Sequence, residues 1–416
     1  VKVGDEVAAG AMVDRGKIKV RARRTGHATK WAWVSRWVEE ASRRENAATM
    51  MSTRSAGMMI PAAYALAVID FGLWWLIDGN INAAFSTALA ILAVVAPVAL
   101  AISPALAIRH GVEAAARHAI LVRDGATLRK CEEVDTVVFN RVGTLVEPEM
   151  TVETVTAAEG EDTEVVLLVA AALLVESNHP SSRAIVAAAR EAKGHGAPWR
   201  VDLEESTIHQ DGTTTGRVTL RPVVDDRGVI TLHDPAKQDA ADAVDRLEAM
   251  GTTTVMLTRD TYAVGRRFAN MLGMSSVLAG VTAHDKAGAV RQLHSRGANV
   301  AMVGSLSVLD VIEVGDLGVL YAEEDFFESN MKKNTELEID ALVMRDDVMA
   351  VPQLLEHGRR VSRIIDSNMA FALIYNAVAV ALAMSGVLPP MGATLVMLGS
   401  SLIIGQRSSR AGRFPS

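Results

Sequence analysis

Two apolar patterns alternate along this chain: long unbroken runs, and short β-branched clusters separated by amphipathic stretches. Residues 58–77 and 83–103 are almost uninterruptedly apolar. A helix rising ~1.5 Å per residue needs about 20 such residues to cross a ~30 Å hydrocarbon core, so each run is long enough for one span. Residues 78–82 suffice only for a hairpin turn. A second pair follows at residues 369–384 and 391–404, with Gly386, Pro389 and Pro390 in the turn between them. Arg43, Arg44 and Arg54 precede the first run, Arg109, Arg117 and Arg123 follow the second, and Arg407 and Arg410 close the last. By the positive-inside rule these flanks are cytoplasmic. Asp70 lies inside the first run, about two turns from its end and within reach of the interface.

Residues 137–140, 254–257, 299–303 and 317–320 read as short buried strands, with helical patterns between them at residues 239–250 and 286–295. Strands alternating with helices predict a doubly wound parallel sheet. Residues 149–230 interrupt the alternation and carry their own helices and a hairpin signal, Asp225-Asp226-Arg227-Gly228, so they read as an inserted domain. At the start, turns at Val3-Gly4-Asp5 and Val13-Asp14-Arg15-Gly16, a half-exposed strand at 17–22 and a helix at 29–41 predict a small β unit.

Half of the 416 residues are apolar, too many for an ordinary soluble enzyme. The net charge of −7 is modest and spread along the chain, and nothing in it suggests a nucleic-acid-binding surface. The single cysteine, Cys131, excludes a disulfide framework and any multi-thiolate metal site, and its amphipathic surroundings read as structural. The chain begins at Val1 with neither methionine nor signal peptide, as a fragment would.

The chemistry turns on Asn140, at the end of Val137-Val138-Phe139-Asn140 and followed by Arg141-Val142-Gly143-Thr144. Open α/β sheets place ligands at that strand edge. A carboxylate there could attack a phosphoryl group. An amide cannot, because its nitrogen lone pair is delocalised and its oxygen is neutral.

The order of parts, a β unit, an apolar hairpin, a sheet split by an insertion and a second hairpin, resembles the heavy-metal (copper-type) P-type ATPases along nearly the whole chain. Residues 1–26 look like the second half of the actuator domain, without the family's Thr-Gly-Glu loop or the helices that normally precede it. The phosphorylation motif Asp-Lys-Thr-Gly-Thr is matched by Asn140-Arg141-Val142-Gly143-Thr144 and the hinge motif Thr-Gly-Asp by Thr258-Arg259-Asp260. Asp285-Lys286 matches the phosphoryl-neutralising lysine, while Gly-Asp-Gly-x-Asn-Asp has become Gly304-Ser305-Leu306-Ser307-Val308-Leu309. The magnesium-facing carboxylates are lost, so Mg²⁺, which the family uses, loses most of its ligands. The nucleotide signature Ser-Glu-His-Pro reads Ser177-Asn178-His179-Pro180, and a later Gly-x-Gly keeps only Gly212. By the resemblance His179, Pro180 and Gly212 are the nucleotide contacts, and ATP binding is the function least eroded. Ala96-Pro97-Val98 replaces Cys-Pro-Cys, leaving Tyr375, Asn376, Met397 and Ser401 as weak remnants of the family's copper-type site. Without the thiolates, helix packing is the favoured reading of these four.

The resemblance implies a multi-domain membrane protein: α-helical transmembrane hairpins, a haloacid-dehalogenase-like doubly wound α/β phosphorylation domain, an inserted α+β nucleotide-binding domain and a partial β actuator domain. The expected boundaries are actuator 1–46, first hairpin 47–110, phosphorylation domain 111–148 and 232–350, insertion 149–231 and second hairpin 351–416. It further implies a multi-pass protein of the plasma or inner membrane with its soluble domains cytoplasmic. The partners expected are the lipid bilayer, ATP, a metal cation or an intact pump subunit, and no nucleic acid. With nucleophile, magnesium carboxylates and thiolates all replaced, the expectation is an inactive pump homologue with a structural or regulatory, nucleotide-sensing role. The alternative is an active copper-like transporter using unorthodox residues or a deamidated Asn140; a phosphatase of the same fold class would need the same aspartate.

Overall fold

The computed structural model describes residues 7, 9–44, 46–147, 150–175, 180–193, 205–210, 215–221, 228–233, 235–322 and 339–415. Helices α1 (Lys30–Arg43), α2 (Ala47–Asp78), α3 (Ile81–Val94) and α4 (Pro97–Arg117) come first, then β1 (Ile120–Val122), α5 (Gly125–Glu133) and β2 (Thr136–Asn140). Next are β3 (Thr151–Ala157), α6 (Thr163–Leu174), α7 (Pro180–Lys193), β4 (Glu205–Gln210), β5 (Thr215–Arg221) and β6 (Gly228–His233). Then follow α8 (Ala240–Ala249), β7 (Thr253–Leu257), α9 (Tyr262–Met271), β8 (Ser276–Leu278), α10 (Lys286–Ser295), β9 (Val300–Gly304), α11 (Leu309–Ile312) and β10 (Leu317–Tyr321). The chain ends with β11 (Ala341–Val343), α12 (Ala350–Met384) and α13 (Pro390–Ser409). These elements form two compact units, one of residues 1–133, 324–345 and 353–416, the other of residues 134–323 and 346–352.

The second unit holds five parallel strands in the order β10-β9-β2-β7-β8. From β2 the chain adds β7 and β8 on one side, then crosses over to lay β9 and β10 on the other. The strand order therefore reverses at β2, and the crevice beyond its carboxyl end is where such sheets bind ligands. All five residues of β2 are buried, which is why the strand reads as a continuous β-branched run rather than an alternating one. A separate antiparallel sheet, β3-β6-β5-β4, lies within the residues expected to form the insertion. Its core packs Leu167, Ala170 and Leu174 of α6 and Ile185 of α7 with Ile230 and Leu232 of β6. The hairpin signal at residues 225–227 lies outside the described residues.

In the first unit, Asn46 caps α2 by accepting from Thr49 N, while Thr49 Oγ1 accepts from Asn46 N, a reciprocal capping box. Gly79, at φ 63°, ends α2 in the left-handed conformation a Cβ disfavours, and Asn80 starts α3 at once. This is the expected hairpin turn. α2 and α12 are long and apolar enough, by length and composition, to cross a membrane. Val68, Ile69, Leu73, Leu76 and Ile77 of α2 are exposed, whereas small residues, Ala67, Ala90, Ala379, Ala383 and Ala393, fill the space between helices.

Two expectations are corrected. Residues 17–22 form no strand: they pair with no neighbour among the described residues, and a strand without a ladder leaves its backbone groups to water. Asp70, about two turns before the end of α2 as expected, is 3% exposed because it continues the inward-facing stripe of Ala56, Ala63 and Ala67. The run at 369–384 is only the end of a helix that starts at Ala350. Its first half reads as polar yet buries Val351, Leu354, Leu355 and Val361. There Gly358 meets Cys131 so closely that a Cβ would lie 2.4 Å from the cysteine's own. Burial pushes the Cys131 thiol up to about 12, so it is a structural, unreactive thiol.

Candidate functional site

The pairing of β2 with its neighbours lines up three loops at one edge. Asn140 is in register with Leu257, so the β7 loop starts at Thr258 beside it, and Phe139 is in register with Val303, which brings up Gly304 and Ser305. After Asn140 the chain turns tightly through residues 141–145, with Gly143 at φ 81°. A Cβ on Gly143 would stand 2.7 Å from Ser305 Oγ, so glycine is required both by the backbone and by the contact.

Asn140 is 3% exposed and its carboxamide is engaged on both sides. Nδ2 donates to Val142 O at 2.7 Å, and Oδ1 accepts from Lys286 Nζ at 2.5 Å. Thr144 Oγ1 donates to the Asn140 backbone carbonyl, which holds the turn against the strand. Lys286, at the first turn of α10, is buried, and desolvation followed by the nearby Arg259 charge holds its ammonium below the usual lysine range, against the opposing pull of Asp310.

Arg141 carries the second half of the site. Its guanidinium donates to Asp260 Oδ2 at 2.6 Å and lies 4.9 Å from the centre of the Phe268 ring on α9. Thr258 Oγ1 also donates to Asp260 Oδ2, at 2.7 Å, and accepts from Asp260 N at 3.2 Å. The hinge carboxylate is thus held by a cation from the turn next to Asn140. The replacement of a lysine by Arg141 beside a surviving acid was the sequence signal for this pair, but only the fold supplies the contact; the roles of Phe268, Arg259 and Asp310 had no such signal.

The donor set does not fit a magnesium ion. The position after β9 is Ser305, buried, its hydroxyl 3.0 Å from that of Ser307, and Asn140 Oδ1 and Asp260 Oδ2 already face the cations of Lys286 and Arg141. A divalent ion there would meet two positive charges, and among the described residues no cluster of three His, Cys, Asp or Glu side chains stands ready to hold it.

Of the nucleotide candidates, His179 and Gly212 lie outside the described residues and Pro180 is the first residue of α7. The candidates for a metal cargo belong to the first unit. The apolar run at 83–103 is broken at Val95–Ala96, with Pro97 beginning α4, where its missing N–H costs nothing. Both sides of the break are capped from α12: Asn376 Oδ1 accepts from Ala96 N at 3.1 Å, and Tyr375 Oη donates to Val94 O at 3.1 Å. Asn376 Nδ2 donates to Ala372 O at 2.7 Å, and on α13 Ser401 Oγ donates to Met397 O at 3.0 Å, with the Met397 sulfur 3.9 Å away.

A family description, haloacid dehalogenase-like hydrolase, matches residues 134–311, which span β2 to α11. The chain is 31% identical over 452 residues to a probable copper-exporting P-type ATPase V of Mycobacterium tuberculosis, covering 99% of this chain and 57% of that protein. It is 30% identical to a copper-exporting P-type ATPase of Mycobacterium leprae, covering 100% of this chain and 56% of that one. The chain therefore spans somewhat over half the length of these curated relatives. Its fold matches the crystal structure of a zinc-transporting PIB-type ATPase in the E2·Pi state, with a TM-score of 0.69, 23% identity, and coverage of 93% of this chain and 68% of that one. The parallel-sheet unit is a haloacid dehalogenase-like domain. The chain as a whole is a homologue of the heavy-metal P-type ATPases.

Proposed function

We propose that this chain has kept the architecture of a heavy-metal P-type ATPase and lost its catalysis, and that it serves as a structural or regulatory membrane protein with nucleotide sensing as its retained activity. The observation that carries this reading is the bonding of Asn140. Its carboxamide donates to Val142 and accepts from Lys286, so the atom that would attack a phosphoryl group is instead a neutral acceptor on a lysine. The misfit of the neighbouring residues to magnesium supports the same conclusion, since phosphoryl transfer depends on that charge. In the membrane, Tyr375 and Asn376 spend their polar atoms on the helix break, and Ala96 and Val98 have no donor atoms to offer a metal cargo.

In this reading α2, the broken α3–α4 pair, α12 and α13 are four spans of the plasma or inner membrane, and both soluble parts face the cytoplasm. The domain boundaries expected from the sequence belong to the same proposal, as do ATP at His179, Pro180 and Gly212 and an intact pump as partner. The names of the copper-exporting relatives favour an active copper-like transporter instead, but that reading needs a nucleophile at position 140.

The separating experiment is incubation of the purified chain with γ-labelled ATP and magnesium. No acid-stable label is expected. Hydroxylamine-sensitive label at residue 140 would restore the pump.

A further inference from the structure

We infer that the junction of α1 and α2 is a binding site for the phosphate-bearing headgroup of an anionic phospholipid. A cavity of about 500 Å³ opens there between the end of α1, the first two turns of α2 and the middle of α4. Arg43, Arg44 and Arg54 line it together with Thr53, so guanidinium and hydroxyl donors face a common space. Among the described residues Arg43 and Arg44 are held only by Glu39 and Glu40, one turn back on α1, at 2.7 and 3.9 Å. Such exposed pairs contribute little and yield readily to a stronger acceptor. Arg54 has no acceptor among the described residues.

One lining residue, Asn46, is buried. Asn46 is 6% exposed; its Oδ1 accepts from Thr49 N, while its Nδ2 has no acceptor among the described residues. The Nδ2 atom is closed off from the cavity and lies beside Gly125, where a Cβ would stand 2.6 Å from it, so the donors an anion meets in the cavity are the arginines and Thr53. Arginine suits this ligand because its fork engages phosphate oxygens in pairs.

The cavity is also amphiphilic. Met50, Ala105 and Ile108 line one part of it, beside the polar Ser42 and Thr49, and Met50, Met51 and Met58 begin the exposed apolar face of α2. A soluble phosphate would leave that part of the lining unused. A phospholipid places its phosphodiester among the arginines and its first methylenes against Met50 and Ile108. This inference rests on the reading of α2 as a membrane span, whose cytoplasmic end is where anionic headgroups meet basic side chains.

The test uses the full chain in a neutral detergent and follows thermal unfolding during titration with dihexanoyl phosphatidylglycerol, dihexanoyl phosphatidylcholine, glycerol 3-phosphate and inorganic phosphate. Saturable stabilisation is expected from phosphatidylglycerol alone. Arg54→Gln should weaken it about tenfold, the worth of one charge-assisted contact, and Arg54→Lys should retain most of it. Arg54 is exposed, so these variants keep the fold, which their unliganded midpoints check. Equal stabilisation by both lipids, or by native chain and Arg54→Gln, would overturn the site; equal stabilisation by inorganic phosphate would overturn the lipid. Alkaline carbonate extraction of the chain from membranes separately tests the span. Release would sink that reading, whereas retention without a phosphatidylglycerol preference would sink only this inference.

Discussion

The Lys286 ammonium donates to the Asn140 carboxamide oxygen over 2.5 Å, in a buried pocket at the carboxyl edge of the parallel sheet. A carboxylate in the same place would neutralise the lysine; the amide solvates it without cancelling its charge. That difference governs how the site titrates.

Desolvation, and then Arg259, lower the Lys286 pKa. With the folded value below the unfolded one, the folded state binds fewer protons between them. Stability from this group should therefore rise with pH through that window and be lost as pH falls through the folded value. Carbon-13 NMR of the dimethylated lysine should find Lys286 titrating below 10.5, higher in Arg259→Gln and lower in Asp310→Asn. Asn140→Asp should raise it and remove the rise in stability with alkaline pH that the native chain shows. An ordinary lysine titration in the native chain would contradict the buried geometry.

Arg141 and Asp260 form a largely buried ion pair, with side chains 5% and 16% exposed. Removing one partner strands the other, at a cost of about 3 kcal/mol. Arg141→Met should lower the unfolding free energy by roughly that amount, with Arg141→Lys closer to native because it keeps the charge. The Arg141→Met, Asp260→Asn double mutant should be more stable than the sum of the single losses. Additive losses in that cycle would mean the pair is not coupled.

At the helix break, Asn376→Ala leaves Ala96 N–H without its acceptor and should cost about 1–3 kcal/mol, while Asn376→Asp keeps an oxygen there and should cost less. Titrating Cu(I) against a competing chelator should find no tight site in the native chain and a new one in the Ala96→Cys, Val98→Cys double mutant. Tight binding by the native chain, abolished by Met397→Ala, would show a transport-type site without thiolates.

The proposed four-span topology would place the α2–α3 and α12–α13 turns on the outer side. Single cysteines at the exposed positions Asp78 and Val387 should then both react with an impermeant thiol reagent applied outside. Cys131 is buried and protonated, so it gives no background. Gly386 is a poor probe position because its φ of 74° and the Trp74 ring 3.1 Å from its would-be Cβ leave no place for a side chain. Reaction of only one of the two cysteines would mean that a span has been misassigned.

Sequence alone determined what is covalent or local. The apolar run of α2, the buried pattern of β2 and the strands at β7, β9 and β10 were all legible, because burial on both faces or in lipid imposes an unbroken apolar code. So was the chemistry of Asn140, since no environment makes a carboxamide a carboxylate. Tertiary structure decided everything that depends on a distant partner. Residues 17–22 have strand alternation but no ladder to join. Asp70 is buried because of the face of α2 it shares, and Asn376 is bonded to an N–H 280 positions away. Arg141 reaches Asp260 only because β2 and β7 are hydrogen-bonded neighbours in register. A sequence specifies which groups need partners; only the packed chain, by bringing remote segments within hydrogen-bond distance, specifies which partners they get.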